Sequence, residues 1–208
     1  MFTGIIQAKG NIKEIRKLNR GAVFVLNSNS LDLSDVSIGD SIAVNGVCLT
    51  VTQIDKSSFS TDVSQETFNC STFSQLKQGQ NINLEKSLRL DQGIDGHLVS
   101  GHVDGVGEVV SLREEGECNR LKIKIDNDLS KYIAKKGSIC IDGVSLTVNS
   151  VEADIFDVNI VPHTLSSTTL GELVENSRVN IEIDIIARHI EQFINHKSST
   201  GVDISTPE

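Results

Sequence analysis

The seven residues from Asn45 to Val51, NGVCLTV, return as DGVSLTV from Asp142 to Val148, which fixes an offset of 97 residues. The same offset carries MFTGIIQAKGNI at Met1 onto LVSGHVDGVGEV at Leu98, ETFNCSTFSQL at Glu66 onto HTLSSTTLGEL at His163, and NINLE at Asn81 onto RVNIE at Arg178. Windows in one register with no net insertion mark a tandem duplication, and a period this long exceeds a solenoid or propeller unit. Each half must therefore close a complete small fold. The 208-residue chain divides at the glycine-bearing, weakly patterned stretch Lys86 to Gly96, giving expected units 1–96 and 97–184.

Within each half, short runs rich in Val, Ile, Thr and Phe alternate with polar residues. They are SIAVNGVCLTVTQI, SFSTDVS and NINLEKS in the first, and RLKIKID, SICIDGVSLTVNSV and IFDVNIV in the second. A period of two reads as antiparallel strand, and Asn-Gly and Asp-Gly supply the positive φ that tight hairpins need. About six short strands in so few residues predict a small closed barrel, so the fold class is all-β. One stretch departs from the pattern. In DIIARHIEQFINHK, Ile186, Ile190, Phe193 and Ile194 recur at helical spacing, predicting a helix over 185–197 outside the repeat. Its apolar stripe either packs on its own barrel or serves contacts between chains. The tail, 198–208, is expected to be disordered.

Composition excludes several functions. A formal net charge of -9 argues against a phosphate-backbone binder, and the lack of Trp with a single Tyr leaves few base-stacking platforms, so nucleic acid is not an expected partner. No apolar run approaches the roughly 20 residues that span a bilayer, and the N-terminus has no basic and then apolar signal pattern. No membrane association is expected, and the cytoplasm is the expected compartment. Cys48, Cys70, Cys118 and Cys140 form no C-x-x-C pair and read as free thiols in a reducing environment. His97 and His102 have no cysteine or carboxylate cluster at zinc-like spacing, so no metal is expected. No dinucleotide fingerprint, Walker loop or nucleophile elbow calls for a cofactor.

The chemistry concentrates in the repeat. Cys48 and Ser145 occupy equivalent places just after a hairpin turn, each followed by Leu and Thr. A strand cysteine alone is most often a small buried hydrophobe. Two halves offering one polar wall, Cys48 with Thr50 and Ser145 with Thr147, instead look like two versions of one binding site. His102 lies where the first half has Ile5, in a glycine-flanked stretch that lets a ligand approach the backbone.

With MFTGI, NGVCLTV, GHLVSGHVDG, IDGVSLTV and LGELVENSRVNIEID in this order, the chain resembles the riboflavin synthase α-chain family from Met1 to about Lys197. The resemblance implies two tandem six-stranded antiparallel Greek-key barrels and a homotrimer held by the C-terminal helices. It also implies a transferase that dismutates two molecules of 6,7-dimethyl-8-ribityllumazine, yielding riboflavin and 5-amino-6-(D-ribitylamino)uracil. Each site would pair the first barrel of one subunit with the second barrel of its neighbour. Association with lumazine synthase is a further partner the resemblance leaves open. A non-catalytic lumazine- or flavin-binding antenna protein is the rival reading; such relatives lose the second-half motifs, which this chain keeps.

Carried over by position, the first barrel's ligand wall comprises Gly4, Ile5 and Ile6, then Cys48, Leu49 and Thr50, then Asp62, Val63, Ser64, Gln65, Glu66 and Thr67. The second comprises Gly101, His102 and Val103, Lys136, Ser145, Leu146 and Thr147, then Val161, Pro162, His163, Thr164, Leu165 and Ser166. Phe2, Ser41, Cys48, His102 and Asp142 match positions linked to catalysis in the family, and Ser145 joins them as the counterpart of Cys48. Their expected work is to deprotonate an acidic methyl group on one lumazine and help a nucleophile add to the other. The sequence departs from the family at PHTL, where His163 replaces an expected carboxylate, whereas the first half keeps Glu66.

Overall fold

A computed structural model describes residues 1–200, with side chains described through residue 196. Strands β1 (Ala8–Lys17), β2 (Ala22–Asn27), β3 (Ser41–Val44), β4 (Val47–Ile54), β5 (Ser58–Val63) and β6 (Asn81–Lys86) close a barrel in the order β1-β2-β5-β4-β3-β6. The hairpin-linked run β3-β4-β5 with β6 returning beside β3 is a Greek key. Strands β7 (Gly105–Glu115), β8 (Cys118–Lys124), β9 (Ser138–Ile141), β10 (Val144–Glu152), β11 (Ile155–Ile160) and β12 (Arg178–Ile183) close a second barrel with the same cyclic order. Short helices α1 (Gln65–Cys70) and α3 (Pro162–Ser167) follow β5 and β11, and a single turn, α2 (Asn127–Ser130), follows β8. Neither α1 nor α3 shows in the alternation, because each is under two helical turns. Helix α4 (Ile185–Thr200) takes in three residues expected in the tail; residues 201–208 lie outside the described part.

Alternation along the strands fills each barrel. Ile12, Phe24, Leu26, Val51 and Phe59 point into the first, and Leu121, Ile123, Val148, Phe156 and Val158 into the second, all at most 1% exposed. At roughly 1.5–3 kcal/mol for each buried large side chain, these two cores supply most of the driving force for closure.

The barrels meet at two hairpin tips. Asn45 and Gly46 turn β3 into β4 with φ of 45° and 79°, and Asp142 and Gly143 turn β9 into β10 with 45° and 83°. The tips touch, since a Cβ on Gly46 would stand 2.7 Å from the Gly143 nitrogen, and one on Gly143 2.8 Å from that of Gly46. Two buried asparagines lace the seam around this point. Asn83 accepts from Thr169 N and donates to Asp142 O, while Asn180 accepts from Thr72 N and donates to Asn45 O, at 2.8–2.9 Å. Each asparagine is 1% exposed, so leaving its partners unpaired would cost about 1–3 kcal/mol per group. The duplication thus gives a two-fold-like seam inside one chain.

Candidate active site

The segments leading into each barrel build the site. Buried Glu85 accepts from Thr3 N at 2.7 Å, Thr3 Oγ1 at 2.8 Å and Gly4 N at 3.1 Å. Glu182 repeats this with Ser100 N and Oγ, both at 2.6 Å, and Gly101 N at 3.0 Å. Burial pushes both carboxyls up, while these donors pull them down.

From its anchor each segment crosses to the opposite barrel. Ser145 N donates to Gly4 O and Cys48 N to Gly101 O, both at 2.8 Å. A Cβ on Gly4 would lie 2.6 Å from that of Ser145, and one on Gly101 2.5 Å from that of Cys48. Both glycines also hold positive φ, so a side chain is excluded twice over. Ile6 then packs on the second core and Val103 on the first. The expected grouping is therefore corrected: Gly4, Ile5 and Ile6 belong with Ser145, and Gly101, His102 and Val103 with Cys48.

The first wall runs from Cys48, Leu49 and Thr50 on β4 to Asp62 and Val63 on β5, whose register pairs Val51 with Thr61. Exposed Thr50 and Asp62 offer their polar groups to solvent, whereas Leu49 and Val63 face the core. Ser64 caps α1 by accepting from Thr67 N at 3.1 Å, and exposed Gln65 and Glu66 extend the polar edge. Ser41 pairs with Thr50 across β3 and β4, at the rim of this wall.

The second wall repeats the plan with Ser145, Leu146 and Thr147 on β10, then Val161, Pro162, His163, Thr164, Leu165 and Ser166 around α3. Pro162 opens that helix, replacing the serine-type cap of the first. Exposed Ile5 adds an apolar edge. Lys136 N donates to Val148 O at 2.8 Å with a φ of 68°, a left-handed conformation that Gly39 takes at the equivalent place with 97°. The first half has a glycine at this place, so only the second half's copy of the turn carries a lysine side chain. Exposed His163 lies 3.5 Å from Ser167 Oγ.

Two of the residues matched to catalysis lie away from both walls. Phe2 is wholly buried; its Cε2 would stand 2.9 Å from a Cβ on Gly101, and it belongs to the apolar cluster against which Cys48 packs. Asp142 is 6% exposed in the seam, where its carboxylate accepts from Asn180 N at 2.8 Å. Burial raises its pKa to about 7, against the lowering by that N–H. A raised carboxyl stabilises the fold only while protonated, so its contribution is complete below the unfolded value near 4 and is lost as the pH climbs to about 7. Asn45 occupies the same place in the other barrel, accepting from Asn83 N. Asp142→Asn is accordingly expected to be more stable than the wild type by roughly 2–4 kcal/mol at pH 8, with the gap closing near pH 4. Chemical unfolding at the two pH values measures it.

The structure adds two residues to the second wall. His97 Nδ1 lies 2.7 Å from Ser145 Oγ, and Asn159 stands on β11 where the first wall has Asp62. The repeat offset would have found Asn159. No spacing pointed to the pairing of His97 with Ser145.

Two closed barrels with matched polar walls define a tandem-barrel protein carrying one surface site in two copies. The lumazine binding domain model matches residues 3–87 and 100–184, one copy per barrel. The chain is 46% identical over 194 residues to a riboflavin synthase from Photobacterium leiognathi, covering 93% of this chain and 89% of that one. It is 39% identical over 199 residues to a riboflavin synthase from Bacillus subtilis, covering 96% and 92%. Among solved structures, LumP complexed with riboflavin superposes with a TM-score of 0.80 at 31% identity, covering 88% of this chain and 99% of that one. The chain belongs to the riboflavin synthase family.

Proposed function

We propose that this protein makes riboflavin by transferring a four-carbon unit between two molecules of 6,7-dimethyl-8-ribityllumazine, releasing 5-amino-6-(D-ribitylamino)uracil. The observation that carries this reading is the presence, in one chain, of two walls alike in backbone and threonine chemistry but unlike at the repeat's centre, where Cys48 Sγ stands against Ser145 Oγ. A reaction between two copies of one substrate needs that likeness to bind both, and a difference to make one the donor and the other the acceptor. Backbone groups of β4 and β10 suit the pteridine edge, and Thr50, Thr67, Thr147 and Thr164 suit the ribityl hydroxyls. Orienting the two substrates would account for much of the rate. Phe2 and Asp142 act from behind the walls, as positioning residues.

The homotrimer belongs to the same proposal, with each reaction site formed by the first wall of one subunit and the second wall of its neighbour. Its support is the exposure of both walls and of the α4 stripe. The proposed compartment is the cytoplasm, a setting suited to four thiols that form no disulfide.

Incubation with the lumazine is expected to produce riboflavin absorbance with one riboflavin for every two lumazines consumed; no riboflavin would overturn the reading. Titration with a non-reactive lumazine analogue should fill two sites of unequal affinity per chain, whereas calorimetry saturating at one would mean that a single barrel kept its wall. Cys48→Ser should fold and bind normally yet turn over at least about tenfold more slowly, a barrier increase of ~1.4 kcal/mol.

A further inference from the structure

Cys48 and Ser145 differ in their neighbours as well as in the atom they present. The thiol side of Cys48 packs against the apolar cluster of Phe2, Ala43, Val99 and Cys140. Ser145 Oγ instead meets the His97 imidazole at 2.7 Å. That approach is arranged by the chain. His97 N donates to Thr3 O at 3.1 Å, and a Cβ on the preceding Gly96 would lie 2.1 Å from the same Thr3 oxygen and 2.9 Å from Ser145 Oγ. Gly96 therefore has to be a glycine for His97 to reach the serine.

We propose that His97 is a positioning residue that fixes the Ser145 hydroxyl toward the bound lumazine and thereby makes the second wall chemically distinct from the first. Two observations set the direction of the hydrogen bond. Burial holds the imidazole below its usual pKa, against an opposing pull from Asp184, and so favours the neutral ring. Nε2 is buried with no partner among the described residues, and an orphaned acceptor lone pair is tolerated better than an orphaned N–H. The proton accordingly sits on Nδ1, which donates to Ser145 Oγ. The serine's own proton is then left to point away from the imidazole, as a donor to an oxygen or nitrogen on the pteridine edge. Cys48, resting on hydrocarbon, offers no such oriented donor.

This inference rests on the proposed reaction, and its test separates the two. His97→Ala, His97→Asn, Ser145→Ala and the double alanine variant are compared with the wild type for riboflavin formation and for riboflavin binding by fluorescence titration. His97→Ala and Ser145→Ala should each lower kcat/KM about tenfold or more, and the double variant should lose no more than either single one, because both remove one hydrogen bond. His97→Asn, whose amide nitrogen can stand near the Nδ1 position, should recover most of the loss. Riboflavin binding should weaken at one of the two sites only. Losses that multiply in the double variant, a His97→Asn variant as impaired as His97→Ala, or equal weakening of both sites would overturn the role of His97. Should His97→Ala fail to fold, the comparison of His97→Asn with Ser145→Ala decides by itself: an asparagine variant as slow as Ser145→Ala sinks the proposal. A wild type that binds riboflavin at two sites but forms none would instead overturn the reaction, leaving the single-site binding effect to judge His97.

Discussion

A chain ending at Asp184 is expected to keep both folded barrels, sediment as a monomer and lose activity on dilution. Helix α4 has two unlike faces. Arg188 pairs with Asp104, and Glu191 takes both the Tyr132 hydroxyl and the Lys131 ammonium, so the polar face is tied to the chain's own second barrel. These partners hold Glu191 below the usual carboxylate range and Lys131 above its own. Ion pairs of this kind, open to solvent on at least one side, orient a helix but do not explain its apolar side. That side carries Ile186, Ile190, Phe193 and Ile194 at 59%, 54%, 59% and 55% exposure. More than half of the surface of each of these residues stays open to solvent in the single chain, and contact between chains would cover it. Burying four such side chains in an assembly would contribute roughly 6–12 kcal/mol before entropy is subtracted. Both barrels close without α4, so truncation should spare the fold. Activity should return in part at high concentration by mass action. Sedimentation run beside an activity assay over a dilution series measures this, and a fully active monomer would show that both substrates meet within one chain.

Phe2→Ala is expected to be the most damaging single substitution near the site although its ring touches neither wall's solvent face. Phe2 is 0% exposed, its backbone pairs with Val99 through hydrogen bonds of 2.7 and 3.0 Å, and its Cε2 would lie 2.9 Å from a Cβ on Gly101. Truncating a buried phenylalanine costs about 3–5 kcal/mol, a large share of the roughly 5–15 kcal/mol that holds a typical domain together. Melting should begin about 6–20 °C lower. The cavity would open beneath Cys48 and Gly101 together, so the first wall should lose ligand affinity more than the second does. A Phe2→Leu variant, which refills most of the volume, should recover both properties; loss of activity with unchanged melting and binding would instead place the ring in direct contact with substrate.

Much of this protein was legible in its chain because the governing interactions are local or periodic. Alternating residues fix which face of β4 or β10 turns inward, and Asn45-Gly46 and Asp142-Gly143 specify their hairpins through positive φ at both turn positions. The offset of 97 then doubles whatever one half specifies. The repeat cannot say which barrel Gly4 and Gly101 complete, since packing on their own barrel or on the other satisfies the same symmetry. That choice was made only in the tertiary structure, by the anchoring of Thr3 and Ser100 on Glu85 and Glu182 and by the space that two glycines leave above Ser145 and Cys48. Burial was equally invisible. Phe2 and Asp142 match catalytic positions in sequence, yet both are buried in the structure, and desolvation raises the Asp142 pKa. His97 reaches Ser145 across 48 residues of chain, a contact created by the crossing of the lead-in segment and carried by no periodicity.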